Sequence, residues 1–296
     1  MNCGNELISV IIPSYNRAGV IKDCLESVLG QTWRNIEVIV VDDGSSDGTE
    51  ELIRSIGDQR LRYLGYTPNR GACYARNYGA ERSQGEYIAF QDSDDLWQPD
   101  KLERQLRFMR ETGADFVFCG MDRVSPRGVR YYYPVHPYRG RDPVTELLME
   151  NKIGTQTMFM RRGVWEETRF DESFKRYQDW DFALRAARRF SIAYEPVSLA
   201  YSPVTAGSIS ASVNSLPALE HLYEKHRDEF DSRPPCLAAL ERRTAKRLEA
   251  ADPAAAAGHW LKSFTLRRWP YDLGKYLICR ARGLSPKYKK ECGVGT

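Results

Sequence analysis

Residues 7–12, Leu7-Ile8-Ser9-Val10-Ile11-Ile12, form a nearly continuous apolar run. A run this short, without the alternation of a half-exposed strand, predicts a strand covered on both faces. Over 20–29 the pattern changes. Val20, Ile21, Leu25, Val28 and Leu29 recur at helical spacing. A second buried strand at 36–41, a short helix at 49–56, a third strand at 61–64, a third helix at 71–82 and a fourth strand at 87–91 follow with short connections. Strand and helix in alternation predict an α/β protein built on a doubly wound, mostly parallel sheet. Further strands are expected at 116–120, 130–134 and 155–160, and a helix at 183–189. From about Ser215 the pattern is helical alone, at 216–227, 236–250, 253–264 and 271–282, with Asp252-Pro253 as a cap followed by proline at the first helical position. The chain therefore divides into an α/β domain over 1–212 and a helical C-terminal region over 213–296.

Each early strand is closed by polar residues: Ser14-Tyr15-Asn16, Asp42-Asp43, Asn69-Arg70-Gly71 and Asp92-Ser93-Asp94-Asp95. In a parallel sheet these ends line one crevice. Three carboxylates within four residues repel unless a cation offsets them. Oxygen-only ligands suit a hard divalent ion such as Mg or Mn. The other reading of this turn is a solvated acidic loop with Asp100 capping the next helix, paired with Glu103. No Gly-x-Gly-x-x-Gly follows the first strand and no phosphate-loop lysine motif is present. The crevice instead offers an aromatic ring, carboxylates and Arg76, which could grip a base, a ribose and a metal-bound diphosphate.

A second acidic site opens the 183–189 helix: Tyr177-Gln178-Asp179-Trp180-Asp181-Phe182. Asp179 reads either as a cap or as a general base. Asp181 is the second candidate. Trp180 is expected to face the pocket rather than the core.

Composition adds limits. A net charge of +3 over 296 residues gives no argument for nucleic acid. No apolar run reaches the length of a membrane-spanning helix, and residues 1–6 lack the charged and apolar regions of a signal peptide. Seven cysteines without a Cys-x-x-Cys pair read as buried free thiols, so a cytoplasmic chain is expected. The last segment interleaves Trp260, Lys262, Phe264, Arg267, Arg268, Trp269, Tyr271, Lys275, Tyr276, Arg280 and Arg282, then Lys287, Lys289 and Lys290. This pattern suits either an anionic membrane surface, with the protein peripheral at its inner face, or a helical lid with a solvated basic side. Cys292, fifth from the end, is not a prenylation box.

Four strings in order resemble the family 2 glycosyltransferases of the GT-A fold: Ile11-Ile12-Pro13-Ser14-Tyr15-Asn16; Val40-Val41-Asp42-Asp43-Gly44-Ser45-Ser46-Asp47; Asn69-Arg70-Gly71 with Ala75-Arg76-Asn77; and Gly85-Glu86-Tyr87-Ile88-Ala89-Phe90-Gln91-Asp92-Ser93-Asp94-Asp95, extended by Trp97-Gln98-Pro99-Asp100-Lys101-Leu102. The resemblance covers roughly residues 7–210. It implies an inverting, metal-dependent transfer of a sugar from a nucleotide-sugar donor, usually a UDP-sugar, to a carbohydrate or lipid-linked acceptor, as in polysaccharide or glycolipid assembly. Tyr15 would stack on the base, Pro13 and Ser14 would offer backbone contacts, and Asp43 would accept from the ring N–H, leaving Asp42 a structural role. Arg76 would sit near the diphosphate. Asp92, with Ser93 beside it, would approach the ribose or the metal shell. Asp94, then Asp95, would ligate Mn or Mg.

The family's acidic pair before the base is usually Glu-Asp. Here it is Gln178-Asp179, which lacks the first carboxylate and keeps the Asp. The downstream histidine ligand of some members is absent from 201–210, and His221 and His226 are expected on the surface. Metal binding should then be weak without nucleotide. The competing functions are a nucleotidyltransferase that makes a nucleotide-sugar and a catalytically inactive nucleotide-binding protein.

Overall fold

The computed structural model describes residues 5–125, 127–128, 130–203 and 215–283. Most of the run 201–210 therefore lies outside the described residues, as do Cys3, Lys287, Lys289, Lys290 and Cys292. The first half alternates as its pattern predicts: β1 (Ile8–Ser14), α1 (Ile21–Leu29), β2 (Ile36–Asp42), α2 (Thr49–Ser55), β3 (Leu61–Gly65), α3 (Ala72–Glu81) and β4 (Tyr87–Phe90). Every residue of β1, β2 and β4 is buried, which is why these strands are apolar on both faces. Then come β5 (Leu96–Trp97), α4 (Lys101–Thr112), β6 (Phe116–Val124), β7 (Arg130–Tyr133), α5 (Pro143–Met149), a single 3-10 turn at Thr155–Thr157, β8 (Met158–Arg161), α6 (Arg162–Thr168), α7 (Gln178–Ala187) and β9 (Ile192–Pro203).

The described strands form one sheet in the order β3-β2-β1-β4-β8-β6-β9-β5, with β7 beside β6. The strands β3, β2, β1 and β4 are mutually parallel. β8 runs antiparallel to both β4 and β6, so β6 and its parallel neighbour β9 point the same way as β4. The sheet is thus mostly parallel, with β8, β7 and β5 reversed. All four parallel strands β3, β2, β1 and β4 present their carboxyl ends on one side. There Asp43 N donates to Ser14 O at 2.8 Å and Gln91 N to Ile11 O at 3.0 Å.

β9 was not expected, because Glu195-Pro196 interrupts its apolar pattern. The register steps from Cys119↔Glu195 to Gly120↔Ser198, so Pro196 and Val197 sit in a bulge where no ladder bond is required. Glu195 is buried against Arg104 at 2.9 Å.

By compactness the chain splits into two units, Met1–Val144 with Asn151–Ala211, and Thr145–Glu150 with Ser212–Thr296. The first has a core of sheet and flanking-helix residues, among them Val10, Ile12, Val38, Leu102, Val117 and Phe159. The second contains α8 (Leu216–Lys225), α9 (Arg227–Asp231), α10 (Pro234–Leu248), α11 (Pro253–Arg267) and α12 (Pro270–Gly283). Its small core gathers Ala245, Ala256, Ala257, Trp260 and Cys279. Asp252 caps α11 by accepting from Ala255 N at 2.9 Å.

Two expectations, and one part of an alternative reading, are corrected. Trp180 is fully buried and fills the core rather than a pocket. Of the two histidines expected on the surface, His221 is exposed but His226 is buried, with Nδ1 3.5 Å from Glu229. Asp100 makes no side-chain cap bond to α4, and Glu103 instead accepts from the Thr32 hydroxyl at 2.6 Å.

Candidate active site

The loops after β1 and β2 are tied to one another. Asn16 N donates to Ser45 Oγ at 2.8 Å, Ser46 N to Asn16 Oδ1 at 3.0 Å and Ala18 N to Asp47 Oδ2 at 3.0 Å. This lacing fixes the backbone on both sides of Tyr15, a residue 48% exposed at the sheet's carboxyl edge. A fixed, exposed aromatic face can stack a base at little entropic cost. Pro13 and Ser14 beneath it are buried, and Ser14 Oγ has no partner.

Asp43 is buried, and its two oxygens accept from Arg70 N at 2.6 Å and Gly71 N at 2.8 Å. It closes the loop that opens α3, a task its sequence position did not reveal. Each oxygen keeps a second lone pair for a further donor. Asp42 accepts from Ser45 N at 2.8 Å and from the Tyr63 hydroxyl at 3.0 Å.

The acidic turn after β4 divides its carboxylates between two environments. Asp92 is partly exposed and takes Arg76 Nη2 on Oδ1 at 2.6 Å. Asp94 is partly exposed, with Arg17 no closer than 3.7 Å. Burial, then the Asp92 charge, raises the Asp94 pKa above the usual carboxylate range. Asp95 points inward: it is 3% exposed, and its Oδ2 accepts from Gln156 Nε2 at 2.6 Å. Burial, with Asp92 and Asp94 adding to it, pushes its pKa well up. Ser93 is buried between them.

Arg76 is the common counter-charge. Its side chain is almost wholly buried, it grips Asp92 directly, and its field favours the ionised forms of both Asp94 and Asp179. Its Nε and Nη1 are buried without a partner.

Asp179 belongs to the same cluster, since Asp92 and Arg76 both act on its ionisation. It lies in the first turn of α7, whose N-cap is Tyr177, so it is not the cap. Trp180 N at 2.8 Å and Asn151 Nδ2 at 3.1 Å both donate to Oδ1. Burial outweighs these donors and pushes the pKa up to about 6. Asn151 is in turn held where the Tyr133 hydroxyl donates to its carbonyl at 2.6 Å, which links Asp179 to β7. Neither Asn151 nor Gln156 lies in a motif, and their partners are far away in sequence.

Asp181 is not brought to the cluster. It is fully buried and ion-paired with Arg185 at 2.7 Å. The same guanidinium donates to the carbonyls of Thr168 and Arg169, so Asp181 anchors α7 to the end of α6.

Among the described residues no group of three or more His, Cys, Asp or Glu side chains is arranged to hold a metal ion. The donor chemistry nevertheless fits a hard cation. Asp94 and Asp92 offer oxygens alone, and the burial and the Asp92 charge that raise the Asp94 pKa are both effects a bound cation would oppose. Such a pair leaves several coordination positions to be filled by a ligand's own oxygens.

Residues 9–168 match the family model for glycosyl transferase family 2. TuaG of Bacillus subtilis, named as a teichuronic acid biosynthesis glycosyltransferase, is 45% identical over 124 residues, 41% of this chain and 49% of that protein. The match thus spans about half the length of that relative. WcaA of Escherichia coli K12, named as a colanic acid biosynthesis glycosyl transferase, is 30% identical over 77% of this chain and 84% of its own. Among solved structures, Staphylococcus aureus TarS in complex with UDP-GlcNAc superposes with a TM-score of 0.61 at 21% identity, covering 92% of this chain and 79% of that one. The mannosyltransferase PcManGT of Pyrobaculum calidifontis, in complex with GDP-Man and Mn2+, gives 0.60 at 21% identity over 97% and 83%. At that identity these two similarities establish the GT-A fold.

Proposed function

From the membership of this chain in glycosyl transferase family 2, we propose that it moves a sugar from a nucleotide diphosphate donor, a UDP-sugar in the first instance, to an acceptor hydroxyl with inversion. The observation that carries this reading is the placement of Asp179. It is a carboxylate with one oxygen pinned and a pKa of about 6, in the charge field of Arg76 and Asp92. With Oδ1 held by two N–H donors, Oδ2 is left to take the acceptor's proton. At neutral pH the group is mostly ionised yet basic enough to accept, the compromise a general base needs.

On the donor side, Tyr15 stacks the base, and the backbone of Pro13 and Ser14 with the spare lone pairs of Asp43 reads its edge. Asp92 and Ser93 approach the ribose. Arg76 faces the diphosphate and holds Asp92 in place. Mn or Mg, held by Asp94 with Asp92 and the donor's phosphates, would supply charge to the leaving diphosphate. Asp95 ranks behind Asp94 as a ligand because Gln156 already occupies it. Asp181 ranks behind Asp179 because Arg185 neutralises it. The acceptor side is bounded by β7, whose Tyr133 is tied to Asn151. Relatives named for cell-surface polymers support a carbohydrate or lipid-linked acceptor, met in the cytoplasm at the inner face of a membrane.

The test is turnover of a panel of nucleotide-sugars, with the anomeric configuration of the product read by NMR. Asp179→Asn should lower kcat roughly a hundred- to ten-thousandfold while nucleotide affinity survives. Unchanged turnover in this variant would remove Asp179 as base. Consumption of a nucleoside triphosphate with release of pyrophosphate would favour the nucleotidyltransferase instead.

A further inference from the structure

The last helix of the second unit is amphipathic the wrong way round for a protein surface. Asp272 and Cys279 are buried on its inner side, and Tyr276 packs against the small core around Trp260. The outward stripe, at helical spacing, is Tyr271, Gly274, Leu277, Ile278 and Ala281. Leu277 is 56% exposed and Ile278 49%, and Trp269, just before the helix, is 44% exposed. Surface helices ordinarily present polar residues on this side. A contiguous exposed apolar patch with a polar rim marks a contact surface.

The rim is cationic. Arg280 and Arg282 border the stripe along α12, and Arg267 and Arg268 end the preceding helix, all four exposed. The segment 253–283 holds six Lys and Arg and one acid, Asp272, which is buried and spent on Arg242 and Ser263. Lys262 is paired with Glu241 and Lys275 with Glu249. Among the described residues the four arginines have no acidic partner. A second copy of this face would set these charges against their own kind. A bilayer with anionic headgroups meets both requirements, taking the apolar stripe at the acyl boundary and the arginines at the phosphates.

We propose that α12 is an in-plane membrane anchor: Tyr271, Leu277 and Ile278 enter the interface of an anionic bilayer while Arg267, Arg268, Arg280 and Arg282 engage its headgroups. The binding mode belongs to the helical unit, so it stands or falls separately from the reaction assigned to the sheet.

Co-sedimentation of the full chain with phosphatidylcholine vesicles, with and without phosphatidylglycerol, tests it. Binding is expected with the anionic vesicles, weakening as salt rises. Arg280→Glu with Arg282→Glu should lower partitioning by roughly thirtyfold or more, at about fivefold for each surface cation lost. Leu277→Glu with Ile278→Glu should abolish it. All four positions are exposed, so far-UV circular dichroism and melting should match the parent. No binding at low salt overturns the proposal, as does equal binding to neutral vesicles. Binding that survives both well-folded double variants places attachment elsewhere and also overturns it. A dimer in sedimentation velocity that the Leu277→Glu, Ile278→Glu variant dissociates would give the face to a second copy, and capture by an acidic protein without vesicle binding would give it to a protein partner.

Discussion

At the residue scale, a base must shed its own proton before it can take another. Burial holds Asp179 at about pH 6, so kcat/KM should rise with pH through that value and level off above it. Asn151 donates to the ionised form and therefore pulls this pKa down. Removing the amide in Asn151→Ala should move the acid limb up by about one pH unit, since a hydrogen bond to a charged group contributes about 1.5 kcal/mol. A variant that merely loosens the fold would lose rate at every pH with the limb in place, and that profile would count against the assignment. Asp179 stood out in the sequence as a candidate because a carboxylate opening a helix carries a local signal. Asn151 was not, because its contact with Asp179 spans 28 residues and an isolated Asn has no spacing to betray it. Asp181, the second candidate, is taken by Arg185, four residues on, a pairing only coordinates reveal.

At the scale of elements, α3 sets the depth at which Arg76 meets the acidic turn. Its approach to the sheet depends on Gly79, where an added Cβ would stand 2.7 Å from both Ile11 Cγ2 and Val41 Cγ2. Those atoms belong to β1 and β2, central strands with no room to yield. Gly79→Ala should cost about 1–3 kcal/mol through overpacking, lowering the melting temperature by about 2–10 °C for a unit of this size. Because Arg76 lies one turn earlier, activity should fall further than the residual folded fraction explains. A variant with unchanged melting and activity would show that the helix has slack. The buried strands β1, β2 and β4 were legible because both faces demand apolar residues. β5, two residues long, and β9, bulged at Pro196, were not, because the sheet tolerates in an irregular register what a regular ladder would reject.

At the scale of the molecule, two compact units with separate cores should answer a ligand differently. The helical turn at Thr145–Glu150 clusters with the distant C-terminal helices, a connection no local pattern could announce. A nucleotide-sugar that occupies the carboxyl edge of the sheet binds only the folded first unit. At a hundredfold excess over Kd it adds about 2.7 kcal/mol, which moves that unit's melting by about 5–10 °C. Mn alone should move it very little. Asp94 has the oxygens, but Arg76 engages one oxygen of Asp92 and Gln156 one of Asp95, so most of the coordination must come from phosphates. Calorimetry should therefore show the donor with Mn shifting the transition more than the donor alone, the metal by itself leaving it in place, and the helical unit's transition indifferent to both. A large shift from Mn in the absence of nucleotide would mean that the protein alone completes the metal's shell. The division of ligands between Asp94 and the donor would then be wrong, even if the enzyme still transferred its sugar.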